Sequence, residues 1–285
     1  MTNTTKYDRR RKYYLVFDCE TATLPCAMNY DGEVRKSIAI AKPLIYDLGW
    51  QVIDRHGKVY TRKKFLVSEI FSVPAIFNTA YYASKRPIYL EMLRNGEITL
   101  TDWATATAEL VADMEACEAV GAYNSMFDYK KAIPFTELYI SKLYSEDFYE
   151  WEAFQNARCE HIATHASRGS NREFEPDIFR FRGREYPLFD LWGMSCEYLL
   201  NNDDYKQMCL DYGWVTESGK YFKTSAETAY RFLTNDIEFD EAHTAFDDAK
   251  IESEIFAAIV GKSIKNLTMG ITYFPFRILG QVENF

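Results

Sequence analysis

The sequence predicts an α/β protein built on a mixed β-sheet, and three observations carry that prediction. An apolar run, YLVF, leads into the acids of DCE at residues 14–20. Two stretches rich in β-branched and aromatic residues, 45–54 and 59–67, flank the turn RHGK. Beyond them, segments of helical period feed short apolar runs, the pattern of crossovers that add parallel strands. With 285 residues, 47% apolar and 16% aromatic, the chain can bury a large core, and it reads as one domain over 1–285.

The elements follow in order. Residues 13–19 form the first strand, and 45–54 pairs with 59–67 as a hairpin whose tight turn is supplied by Gly57. Three consecutive strands make an antiparallel start. Residues 68–101 read as mostly helical with a break near Pro87. TDWATATAELVADMEAC places Trp103, Ala106, Leu110, Met114 and Cys117 at helical spacing behind a cap at Thr101. AVGAYN (119–124) is a short buried strand, and FDYKKAIPFTELYISKLY opens a helix that Pro134 bends or interrupts. Residues 145–185 are polar and irregular and read as an insertion. LFDLWGMSCEYLL (188–200) is a helix or a strand-to-helix turn, and TSAETAYRFLTN (224–235) is a helix. The final helix sets Ile251, Ile255 and Ile259 on one face, so the core runs over about 13–260. A C-terminal extension over about 262–285 is apolar and aromatic, suited to packing back on the body or to a protein partner.

Composition excludes several classes. No run approaches the ~18 apolar residues of a membrane span, and MTNTTKYDRRRKYY lacks the apolar segment of a signal peptide. The expectation is a cytoplasmic protein without a membrane partner. Six scattered cysteines show no paired spacing and read as reduced. A net charge of −9 argues against coating nucleic acid by bulk electrostatics, while basic clusters at 6–12, 61–64 and 180–184 leave a local track for phosphates. HIATH (161–165) has the histidine spacing of a zinc-protease helix but lacks its glutamate, and neither a Gly-rich phosphate loop nor a G-x-S-x-G elbow occurs.

The chemistry is concentrated in acids at element ends. Side chains two apart on a strand share a face, so Asp18 and Glu20 point together with Cys19 opposed. Asp128 follows the crossover strand, and His243, Asp247 and Asp248 head the last long helix. Carboxylates converging at one edge of a sheet repel one another unless divalent cations neutralise them.

Asp18-x-Glu20, Asn124-x-x-x-Asp128 and His243-x-Ala245-x-x-Asp248, in that order and on those elements, resemble the three motifs of DnaQ-like, DEDDh-type 3′-5′ exonucleases. The resemblance implies a ribonuclease-H-like fold: a mixed five-stranded sheet, three antiparallel strands and then parallel crossover strands, flanked by helices. It implies two Mg²⁺ or Mn²⁺ ions held by Asp18, Glu20, Asp128 and Asp248, with His243 as general base. The implied activity is hydrolytic release of nucleoside monophosphates from the 3′ end of single-stranded DNA. An exoribonuclease of the same family and a non-catalytic nucleic-acid-binding scaffold are the alternatives.

Some positions carry two readings. Helical i, i+4 spacing pairs His243 with Asp247, whereas the family spacing selects Asp248. Thr21 and Leu24 stand where the family holds the terminal 3′-OH and wedges apart the last two bases, and Leu24 equally suits a loop residue covering the core. Asn124 fits a role in orienting the Asp128 turn or in touching substrate, and Phe127 fits stacking on a base or packing in the core.

Overall fold

The computed structural model describes residues 7, 8, 10–165, 178–261, 277 and 279–285. Seven strands build one sheet: β1 (Tyr14–Ala22), β2 (Leu44–Ile53), β3 (Val59–Val67), β4 (Thr99–Thr101), β5 (Ala119–Ala122), β6 (Ile178–Phe181) and β7 (Arg184–Asp190). Their order across the sheet is β4-β3-β2-β1-β5-β7-β6. β2 lies between β1 and β3 and is antiparallel to both; β5 joins β1 in parallel and β7 joins β5 in parallel. The protein is therefore α/β with a mixed sheet, and helices flank it.

Among the described residues the sheet has seven strands rather than the expected five. The additions lie at the edges. β4 is a three-residue strand parallel to β3, too short to show any period. β6 is antiparallel to β7 across Arg182 and Gly183, whose φ values of 48° and 76° give the turn that a two-residue hairpin requires.

Local chemistry explains other departures. The helix Trp103–Met114 is capped by Asp102 rather than Thr101, its carboxylate accepting the backbone N–H of Thr105 at 2.7 Å. Pro87 sits in the first turn of the helix Arg86–Arg94, where no intrahelical N–H is needed, so it starts a helix instead of breaking one. Pro134 likewise lies in the first turn of Ile133–Leu143, immediately after a π-helical turn, Asp128–Ala132. Within the expected irregular insertion, Phe148–His165 is an 18-residue helix, while 166–177 lie outside the described residues. Of the C-terminal extension, 262–276 and 278 also lie outside them. Leu279 and Val282 pack against the body, and Gln281 bridges to Tyr221.

Two apolar layers cover the sheet. On one face Leu15, Phe17 and Cys19 of β1 join residues of the helices Trp103–Met114 and Ile133–Leu143. On the other, Tyr14 and Val16 meet Ile251, Ile255 and Ile259 of the last helix, Ala245–Gly261. This second face matters for function, because strand alternation continues Tyr14 and Val16 into Asp18 and Glu20. Among the described residues no helix is long and apolar enough to cross a membrane.

Candidate active site

The site begins with a missing side chain. Asp18 pairs across the β1–β2 ladder with Gly49, so both positions address the same face. A Cβ on Gly49 would lie 2.5 Å from the backbone N and Cα of Phe246. Glycine thus lets the head of the last helix rest directly on the sheet beside Asp18. Gly49→Ala is expected to lower stability by about 1–3 kcal/mol through overpacking against backbone, read as a reduced urea midpoint at unchanged slope. An unaltered midpoint would show that the helix head is not seated there.

Asp47 of β2 anchors the same helix. Its Oδ2 accepts the backbone N–H of Ala245 at 3.1 Å and the Tyr89 hydroxyl at 2.8 Å. Burial raises its pKa to about 6, and those two hydrogen bonds oppose the rise. At the next turn Thr244 and Asp247 bond reciprocally: the Thr244 hydroxyl donates to Asp247 Oδ2 at 2.7 Å, and Asp247 N–H donates back to the hydroxyl at 3.4 Å. Asp247 is thereby occupied at the helix start, and Asp248 turns toward β1.

Asp18, Glu20 and Asp248 each bring a carboxylate oxygen within 4.8 Å of the others. Asp18 and Glu20 are half-buried and Asp248 is buried. Asp248 Oδ1 is buried with no hydrogen-bond partner among the described residues. The strand is irregular here, with the β1–β2 register shifting between Glu20 and Thr21, a distortion common beside functional sites. Desolvation raises the pKa of all three acids, and mutual repulsion adds to it: Asp18 through Glu252, Asp248 and Asp128, Glu20 through Asp248 and Asp47.

Asp128 stands at the edge of this group. It is buried, and its Oδ1 accepts the Cys19 thiol at 3.1 Å from the opposite side of β1. Burial raises its pKa and the thiol hydrogen bond tempers the rise. The trio within 4.8 Å does not include it, although its charge raises the pKa of Asp18.

His243 leads into the helix with φ of +51°, left-handed backbone that is uncommon outside glycine. Its ring stacks on Tyr82 with centroids 4.7 Å apart and planes at 16°. Lys85 donates to the backbone carbonyls of Ala242 and His243. Desolvation, then the Lys85 charge, lowers the imidazole pKa, while Glu241 Oε2 lies 3.6 Å from Nδ1.

Two buried acids here, Asp47 and Glu252, have no counterpart in the sequence reading. One turn beyond Asp248, Glu252 is buried and accepts the Tyr123 backbone N–H at 3.2 Å, joining the last helix to the segment that leads to Asp128. The available signal was its i+4 spacing from Asp248 on the face turned to the sheet.

The substrate positions divide. Thr21 is half-buried and continues β1 beyond Glu20. Leu24 is 1% exposed and belongs to the core, so it has no surface to insert between bases; the wedge reading is corrected to the core reading. Asn124 is exposed, and it is its backbone carbonyl that accepts the N–H groups of Phe127 and Asp128 to make the turn. Phe127 is half-buried and packs against the first core layer.

Comparison with protein-family models, curated proteins and solved structures finds no match.

Proposed function

We propose that this chain is a divalent-metal-dependent 3′-5′ exonuclease acting on single-stranded ends, DNA foremost, with a ribonuclease-H-like arrangement at the heart of its sheet. The convergence of Asp18, Glu20 and Asp248 from segments remote in sequence carries this reading. The central order β3-β2-β1-β5-β7, antiparallel and then parallel, supports the fold assignment.

The donor set fits a hard cation: every candidate ligand is a carboxylate oxygen, the charges repel without a counterion, and Asp248 Oδ1 has no hydrogen-bond partner among the described residues. Asp18, Glu20 and Asp248, with Asp128 beside them, would hold two Mg²⁺ or Mn²⁺ ions, and the chemistry supplied there is Lewis-acid activation of water and charge stabilisation on the scissile phosphate and the leaving 3′ oxygen. His243 accepts the proton of the attacking water, a task for which its lowered pKa keeps it neutral. Tyr82 holds the imidazole by stacking, and Lys85 holds the loop that presents it. Asp47 and Gly49 set the height of the helix that delivers Asp248.

Incubating the protein with 5′-labelled single-stranded DNA and RNA, in Mg²⁺, Mn²⁺ or EDTA, tests the reading. The expected result is a one-nucleotide ladder receding from the 3′ end of DNA in either metal and none in EDTA. A ladder on RNA alone would select the exoribonuclease, and intact strands throughout would support the scaffold alternative. Asp248→Asn is expected to abolish the ladder, whereas Asp247→Asn keeps an oxygen that accepts from the Thr244 hydroxyl and is expected to leave both the ladder and the melting temperature nearly unchanged. The two variants, assayed side by side for turnover and melting, separate the ligand from the cap.

A further inference from the structure

We propose that the groove at the carboxyl ends of β5 and β7 is a nucleobase-binding subsite with Trp192 as its stacking surface, an inference that rests on the exonuclease reading above. The groove has a volume of about 310 Å³ and is lined by Tyr123, Asn124, Trp192, Thr224 and Ser225. That volume lies at the lower end of small-ligand clefts, about 300–1,000 Å³, and the place is where open α/β sheets bind ligands.

The lining selects one part of a nucleotide. None of these five side chains carries a charge, so the groove offers nothing to a phosphate. It offers instead an indole, an exposed side-chain amide able both to donate and to accept, and hydroxyls, which together suit a flat, polar-edged heterocycle. Trp192 is half-buried, and its indole N–H donates to Thr224 Oγ1 at 3.0 Å, which sets the ring before any ligand arrives. The Tyr123 hydroxyl donates to the Thr224 carbonyl at 2.9 Å, so Thr224 fixes two of the lining aromatic residues.

The groove is also tied to the carboxylates. Tyr123 N–H binds Glu252, whose charge raises the pKa of Asp18, and the Asn124 carbonyl accepts the Asp128 N–H at 3.3 Å. A base stacked on Trp192 would hold its strand beside the acids. Among the aromatic residues around Asp128, Tyr129 is fully buried and Tyr123 nearly so, which leaves neither ring open to stacking. With a net charge of −9 the chain cannot rely on bulk attraction for phosphates, and stacking supplies a grip that salt does not screen.

The test uses the full chain carrying Asp18→Asn, in Mg²⁺, with labelled oligothymidylate and oligouridylate as probes. Affinity is read by anisotropy and stacking by quenching of tryptophan fluorescence, and inorganic phosphate serves as the control that should not quench. Trp192→Leu is expected to weaken oligonucleotide binding about tenfold and to remove the quench, with KM rather than kcat altered in the cleavage-competent background. Unchanged affinity in Trp192→Leu, or absence of oligonucleotide binding by the Asp18→Asn protein, overturns the subsite. Should Trp192→Leu fail to fold by circular dichroism, Asn124→Ala at its exposed position carries the same comparison, and unchanged affinity there is equally decisive. Binding that depends on Trp192 without any ladder would keep the subsite and remove the exonuclease reading. Ladders with KM indifferent to Trp192 would do the reverse.

Discussion

Asp18→Asn is expected to abolish metal-dependent cleavage while raising the melting temperature of the metal-free protein. The two effects share one cause. Asp18 is held in a desolvated position beside Glu252, Asp248, Asp128 and Glu20, and its ionised form is disfavoured there by burial first and repulsion second. An amide of the same shape removes the charge. Removing a charge that both burial and its neighbours disfavour is expected to raise the melting temperature of the metal-free protein.

The pH dependence of that gain has a definite sign. Asp18, Glu20 and Asp248 all titrate above their ordinary values of 3.8, 4.5 and 3.8. Between those values and the raised ones the folded chain binds more protons than the unfolded chain, so metal-free stability is full below the ordinary values and declines as pH rises through the raised ones. The decline should be shallower in Asp18→Asn. A cation that binds the ionised cluster opposes the decline, and at one hundred times its dissociation constant it would add about 2.7 kcal/mol. Thermal melts from acidic to alkaline pH, with and without Mn²⁺, test the whole account. A protein indifferent to Mn²⁺, with Asp18→Asn no more stable than the parent, would remove the cation site.

His243→Ala is expected to lower turnover by about 10²-fold to 10⁴-fold, the range typical of a lost general base. Desolvation and the Lys85 charge keep the imidazole pKa below its ordinary 6.5, so the acid limb of kcat should lie below that value. Lys85→Met should move the limb upward by withdrawing the positive charge. If His243→Ala retains full kcat across the range, the proton goes elsewhere, and the left-handed turn that presents the imidazole serves only the chain's path into the helix.

Much of this arrangement was legible from local pattern. Alternation along YLVFDCE placed Asp18 and Glu20 on one face with Cys19 opposed, and the hairpin at Gly57 appears where its turn chemistry indicated. The helical period set Ile251, Ile255 and Ile259 against the sheet. Other features were not legible. Periodicity counts apolar positions, so inward-facing acids such as Asp47 and Glu252 register as polar gaps although both are buried. A glycine in mid-strand reads as weak strand propensity, whereas Gly49 is the point of contact for a helix head almost two hundred residues away in sequence.

The sequence by itself determined which residues share a strand face or a helix face, because backbone geometry imposes periods of two and 3.6 that side-chain chemistry merely labels. Only the tertiary structure decided which faces meet. It set Leu24 in the core, bound Asp247 to Thr244 so that Asp248 turns to β1, and laid Trp192 beside Asn124 at the ends of two parallel strands. Those outcomes depend on close packing between segments remote in the chain, and no local pattern records what a face will be pressed against.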